Sequence, residues 1–183
     1  MSDRKLLESL YRWRVRAGTP TLIGVLIFAR PSLQSLAAGV ALSLLGLGLR
    51  AWAAGHLRKE RELAVSGPYK FARNPLYLGT LIIAAGAAVA ARSWWAVALL
   101  GAYFAVFYPV IVCEERDRMR ALFPEIYGQY EKAVPLFIPV PGRTGQGNGG
   151  RFDGRLFLKN KELRAVLGTA AFWALMALKL LLR

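Results

Sequence analysis

The chain has 183 residues, 55% of them hydrophobic, with 25 Lys and Arg against 11 Asp and Glu for a formal charge of +14. A mean hydropathy of +0.34 is too high for an ordinary soluble domain, and the length suits one domain. The basic residues lie between apolar runs rather than in a stacking-and-basic module, so the expected partner is an anionic membrane face and not nucleic acid.

The N-terminus, MSDRKLLESLYRWRVRAG, lacks a cleavable signal pattern: its charged region is long and no small-residue cleavage site follows a short apolar core. Spanning a bilayer takes about 20 apolar residues. The stretch 19–29 is apolar but short, so it spans only if its helix begins earlier, in the amphipathic region 10–17. Four clearer spans follow: Leu33 to Ala54, Pro75 to Ala91, Trp94 to Cys113 and Val166 to Leu182. Trp94, Trp95, Tyr103 and Tyr108 are expected as interfacial aromatics. The fold class is therefore all-α, a polytopic membrane bundle of about five transmembrane helices.

Lys and Arg are distributed unevenly among the connecting segments. Residues 1–16 carry five, 55–74 carry five and 114–164 carry ten, whereas the opposite turns hold only Arg30 and Arg92. Twenty against two predicts a cytoplasmic N-terminus and a multi-pass protein of the cell inner membrane. Arg50, near the cytoplasmic end of the second span, is expected to snorkel. Residues 141–155 read as a Gly-rich linker, and 156–183 as an interfacial segment followed by the last span. Gly46, Gly48, Ala84, Ala85 and Gly86 suit close helix packing.

One cysteine, Cys113, and one histidine, His56, exclude an intrachain disulfide and a Cys/His metal cluster; no metal is expected. Gly46-Leu47-Gly48 is not a dinucleotide fingerprint, because no strand precedes it. The most informative stretch is GPYKFARNPLYLG, Gly67 to Gly79. Asn74-Pro75 makes a good helix start, with Asn as cap and Pro at the first position. Capping does not account for Arg73 or for the flanking Tyr69 and Tyr77, although Arg73 alone would also suit a lipid phosphate. Glu114 and Glu115 close the fourth span. Pairing with Arg118 would explain them as a solvated helix, but adjacent side chains point about 100° apart, so at most one faces the bundle. His56 follows the second span and reads either as an interfacial residue or as part of a site.

In order, the chain shows Arg-Glu-Leu-x-x-Ser-Gly-Pro-Tyr (61–69), Arg-Asn-Pro-Leu-Tyr-Leu-Gly (73–79), Glu-Glu (114–115), Phe-Pro-Glu-x-Tyr-x-x-Tyr (123–130) and Pro139. This set resembles the integral-membrane methyltransferases related to isoprenylcysteine carboxyl methyltransferases and phospholipid N-methyltransferases, over about residues 49–139. The resemblance implies S-adenosylmethionine as cofactor, held by loops of a core spanning 1–140 on the cytoplasmic side. Leu63, Ala64, Val65, Gly67 and Tyr69 match the preceding cofactor loop. Arg73, Asn74, Pro75, Tyr77 and Leu78 match an Arg-His-Pro-x-Tyr element, with Asn74 in place of the commoner His. Glu114 and Glu115 match the paired acids, and Tyr69, Tyr77 and Tyr130 are candidates to pack on adenine or face the sulfonium.

The carboxyl methyltransferases carry an Arg about one turn before the acids. Here that region is Tyr108 to Cys113, with no Arg, so a lipid-like or amphiphilic acceptor is expected rather than a prenylcysteine carboxylate specifically. Phospholipid (ethanolamine) N-methylation or isoprenylcysteine-type carboxyl methylation is the alternative within enzymes, and a non-enzymatic lipid-binding protein the alternative outside them. Methyl transfer is mostly positioning and desolvation. The catalytic candidates are Arg73 for the cofactor's carboxylate, and Glu115 or His56 as base for an amine or hydroxyl acceptor.

Overall fold

The computed structural model describes residues 2–58, 61–140 and 150–182; most of the predicted linker, 141–149, lies outside them. The described residues contain seven α-helices: α1 (Ser2–Phe28), α2 (Leu33–Ala54), α3 (Pro75–Ala91), α4 (Trp94–Leu122), α5 (Tyr127–Ala133), α6 (Gly154–Lys159) and α7 (Glu162–Leu181). A single 3-10 turn, Gly67–Lys70, precedes α3. Three of the helices, α2, α4 and α7, are long and apolar enough to cross a membrane. At 17 residues α3 is shorter, about 26 Å at 1.5 Å per residue. The chain is an all-helical membrane protein.

Local chemistry sets the helix ends. At the start of α2, Ser35 N–H donates to Ser32 Oγ at 3.2 Å and Ser32 N–H donates to Ser35 Oγ at 3.0 Å, a reciprocal cap. At the start of α3, Pro75 occupies the first position as expected, but the Asn74 side chain makes no capping bond. Its expected capping role is thus carried by backbone alone, with Leu78 N–H donating to the Asn74 carbonyl at 3.0 Å. Arg92 ends α3 in the left-handed region at φ 47°. The helical part of α4 runs nine residues past the apolar stretch, because Glu114 to Leu122 keep strong helix formers after hydropathy has fallen.

The α2–α3 hairpin is the most extensive pairing. A Cβ on Gly46 would lie 2.6 Å from the Gly79 carbonyl oxygen, and one on Gly86 2.5 Å from the Gly39 carbonyl oxygen. These glycines let the two backbones touch. The packing expectation holds for Gly46 and Gly86. It fails for Gly48, whose Cβ would meet nothing within 4 Å, and for Ala85, which is exposed: both fall on the outward side of their helices.

Cross-links establish which ends lie together. Arg30 N–H donates to the Ala91 carbonyl at 2.7 Å, and the Lys179 ammonium donates to the carbonyls of Leu26 and Ile27. The ends of α1, α3 and α7 and the starts of α2 and α4 therefore meet at one pole. There Val25, Ala90, Ala91, Ala96 and Met176 form the tightest part of the core. The end of α2 and the starts of α3 and α7 meet at the other pole, called here the site pole.

Two sequence expectations are corrected within the bundle. Arg50 does not snorkel. Its guanidinium turns into the bundle, binding Glu162 through three N–O contacts of 2.8–3.0 Å and donating to the Leu76 carbonyl at 3.2 Å and Thr80 Oγ1 at 2.6 Å. A buried acid opening α7 supplies a nearer partner than lipid phosphate. Tyr103 and Tyr108 are likewise not belt residues. Their hydroxyls donate to the carbonyls of Arg14 and Tyr77, both at 3.1 Å. Trp94 and Trp95 are exposed as expected.

The segment before α7 is fastened to the end of α2. Asn160 Nδ2 donates to the carbonyls of Ala54 and Leu57, both at 2.9 Å, and Asp153 N–H donates to the Gly55 carbonyl at 3.0 Å. These bonds satisfy carbonyls that a helix end leaves without intrahelical partners. The last residues of the predicted linker are thus ordered against α2.

Candidate functional site

A cavity of about 430 Å³ opens at the site pole, between the 61–77 loop, the far end of α4, and α5. Its wall is built on a small second core, in which Tyr127, Tyr130 and Val134 are buried against Leu63, Val65, Met119 and Phe123. The Arg73-Asn74 backbone is held by two donations, Arg73 N–H to the Pro135 carbonyl at 2.9 Å and Asn74 N–H to the Leu136 carbonyl at 3.2 Å. The Tyr130 hydroxyl donates to the Tyr69 carbonyl at 2.8 Å. The loop, the start of α3 and the segment after α5 therefore form one bonded unit.

Nine residues expected at a site line this cavity: Leu63, Ala64, Tyr69, Arg73, Asn74, Pro75, Tyr77, Glu115 and Tyr130. Of the paired acids, Glu115 lines it and Glu114 does not, consistent with the helical angle between them. Val65 packs into the small core behind Tyr127 and Tyr130. Gly67 stands at φ 57°, and a Cβ there would lie 2.7 Å from the His56 ring. Only glycine meets both the left-handed backbone and the close approach. His56 lines the neighbouring cavity of about 550 Å³, together with Leu63 to Ser66 and Arg58. Its Nδ1 is 2.9 Å from the Trp52 carbonyl oxygen, and its ring meets Phe152 edge-on. Leu78, one residue after Tyr77, lies outside the lining of either cavity.

Arg73 is the most constrained charge in the site. Its Nη1 donates to Glu131 Oε1 at 2.7 Å, and the other Glu131 oxygen accepts from Arg120 Nη2 at 2.8 Å. Burial pushes the Glu131 carboxyl up, but hydrogen bonds from Arg120 and Arg73 outweigh it and hold the group below its ordinary value. Burial raises the phenols of Tyr69 and Tyr130, so both stay protonated at neutral pH and neither serves as a base.

Arg73 Nε is buried and has no hydrogen-bond partner. A buried N–H of this kind is costly unless something accepts from it. Arg73 lines the cavity, so its guanidinium is placed to pair with a ligand carboxylate there, which fits an amino-acid cofactor. The remaining lining, Tyr69, Tyr77 and Tyr130 with Glu115, supplies aromatic faces for a purine or sulfonium and an acid for an ammonium or ribose.

Arg50 and Glu162 also line the polar cavity. Arg50 lines as well a second, almost wholly apolar cavity of about 320 Å³ inside the bundle, between α1, α3, α4 and α7. Its walls include Leu22, Ala84, Leu100, Phe104 and Phe172. A charged cavity and an apolar one thus share Arg50 as a lining residue. Sequence reasoning missed Glu131, Glu162 and the inward turn of Arg50. One signal was present: an Arg near the end of one span and an acid at the start of another, at matching depth, each need a partner.

The phospholipid methyltransferase family matches residues 23–126. Two curated relatives match over about half of the chain. Cobalt-zinc-cadmium resistance protein CzcN of Cupriavidus metallidurans is 34% identical over 103 residues, covering 55% of this chain and 46% of the relative. Nickel-cobalt-cadmium resistance protein NccN of Alcaligenes xylosoxydans xylosoxydans is 32% identical over the same length and shares. The match spans about half the length of these relatives. No solved structure gives a significant match. The matched stretch covers α2, α3 and α4 with the loop between α2 and α3, more than half the chain, and the chain belongs to the phospholipid methyltransferase family.

Proposed function

We propose that this member of the phospholipid methyltransferase family is an S-adenosylmethionine-dependent enzyme of the inner membrane, methylating a lipid-like or amphiphilic acceptor at its cytoplasmic face. The carrying observation is that the two cavities share Arg50 as a lining residue. The polar one suits a charged cofactor and the apolar one suits a hydrocarbon chain, which would place the acceptor's polar end between them.

The cofactor would supply a methyl group on a sulfonium. The Arg73 guanidinium, which belongs to a residue lining the polar cavity and keeps one buried donor unfilled, would hold its carboxylate. The Arg73–Glu131–Arg120 chain of hydrogen bonds fixes the guanidinium in place, so it does not have to reorganise on binding. Tyr69 and Tyr77 would face the adenine or the sulfonium. Glu115 is the better-placed base of the two candidates, lining the polar cavity while His56 lines the neighbouring one. The names of the relatives concern metal resistance; a part in tolerance of such cations is compatible with methyl transfer as the underlying chemistry.

The test is incubation of purified protein with methyl-labelled S-adenosylmethionine and a total membrane lipid extract. Label entering the organic phase, and lost in Arg73→Ala, supports the proposal. Release of that label as methanol by mild alkali would mark a carboxyl ester; retention would mark an N- or O-methyl product. Label remaining aqueous with every lipid class would defeat it.

A further inference from the structure

The pole opposite the site carries a groove of about 830 Å³ that the catalytic proposal does not use. Three cations line it: Arg30, Arg92 and Lys179. Arg30 and Arg92 are exposed, and the Lys179 ammonium spends two of its donors on the carbonyls of Leu26 and Ile27, leaving a third. No acid lines the groove. The charge distribution of the whole chain sharpens this. All the Asp and Glu fall within 3–8, 60–62, 114–131 and 153–162, stretches connected in sequence to the site pole. Among the described residues, no acidic side chain lines the groove to neutralise the three cations.

The rest of the lining is aromatic and aliphatic. Trp94 and Trp95 are 87% and 69% exposed, and Phe28 meets Trp95 at 6.3 Å between ring centroids. Indoles prefer the depth of lipid headgroups, and guanidinium or ammonium groups beside them meet the phosphate layer. Basic pockets between membrane helices suit anionic headgroups. We propose that this groove binds the phosphodiester of an anionic phospholipid in the leaflet opposite the candidate active site. The acyl chains would lie along the exposed apolar residues Leu175 and Leu178 of α7. This site is independent of the methyl-transfer reading, and Arg30 and Arg92 take no part in the catalytic cavity.

Native mass spectrometry of the full chain with phosphatidylglycerol and phosphatidylcholine tests it. Wild type should retain phosphatidylglycerol preferentially, and Arg30→Gln/Arg92→Gln should lower that retention about tenfold, the scale of losing charge-assisted phosphate bonds. Arg155→Gln/Arg164→Gln, which removes equal charge at the site pole, should retain it like wild type. Phosphatidylglycerol should also raise the melting temperature of wild type but not of Arg30→Gln/Arg92→Gln. Equal retention of the two lipids, an unaltered double variant, or equal loss in the charge control would overturn the proposal. So would displacement of the lipid by millimolar inorganic phosphate, which would assign the groove to free anions.

Discussion

Removing Glu162 should unlatch α7 from the hairpin. The Glu162 side chain is 8% exposed and that of Arg50 18%, so the pair is largely shielded from water. Removing one partner of a buried pair costs about 3–5 kcal/mol. Here Arg50 would keep its bonds to the Leu76 carbonyl and Thr80 Oγ1, so the guanidinium is not left bare. A loss somewhat below that range, about 2–3 kcal/mol, is therefore expected for Glu162→Gln. For a chain of this length that corresponds to a fall in melting temperature of about 4–12 °C. Thermal unfolding in detergent reads it. Arg50→Met and the double variant complete a cycle, and the coupling between the two positions should exceed about 1 kcal/mol. Coupling near zero, or melting of Glu162→Gln within about 1 °C of wild type, would refute the claim that this pair latches the helix.

Glycine packing gives a paired prediction. Gly86→Val should destabilise by about 1–3 kcal/mol through overpacking, since its Cβ would press on the Gly39 carbonyl and Ser43 Oγ at 2.5 and 2.7 Å. Gly48→Ala, with open space around it, should cost nothing in the same melt. The Arg73–Glu131–Arg120 pairing at the site pole should be sensitive to acid. Glu131 binds a proton less readily folded than unfolded, its folded value lying below 4.5. Its stabilisation is thus full above about pH 4.5 and lost as pH falls through the lower folded value. The difference in melting temperature between wild type and Glu131→Gln should therefore vanish in acid and be constant at neutral pH.

Much of the bundle was legible because the signals were local. The bounds predicted for the second and third spans coincide with α2 and α3, and Pro75 marks a start that depends only on neighbouring residues. Hydropathy marks where a lipid-facing stretch ends, not where a helix does, so the fourth span was cut short at Cys113 while α4 continues to Leu122. The candidate cavity was legible in its motif residues, which sit in one loop and the two helix ends beside it. Its ionic framework was not. Glu131 meets Arg73 from 58 positions away and Glu162 meets Arg50 from 112. Such pairs depend on which helices become neighbours, and a sequence pattern carries that only as unpaired charge awaiting a partner. The same reason turned Tyr103 and Tyr108 from expected belt residues into donors to backbone within the bundle.

The central claim is that the cavity around Arg73 holds S-adenosylmethionine. Calorimetric titration of detergent-purified protein with S-adenosylhomocysteine tests it most directly, with Arg73→Ala and Glu115→Ala alongside. One-to-one binding by wild type, weakened at least about tenfold in Arg73→Ala by loss of a charge-assisted hydrogen bond, is the predicted result. Folded protein that binds no S-adenosylhomocysteine, or an Arg73→Ala variant that binds it as wild type does, would contradict the account.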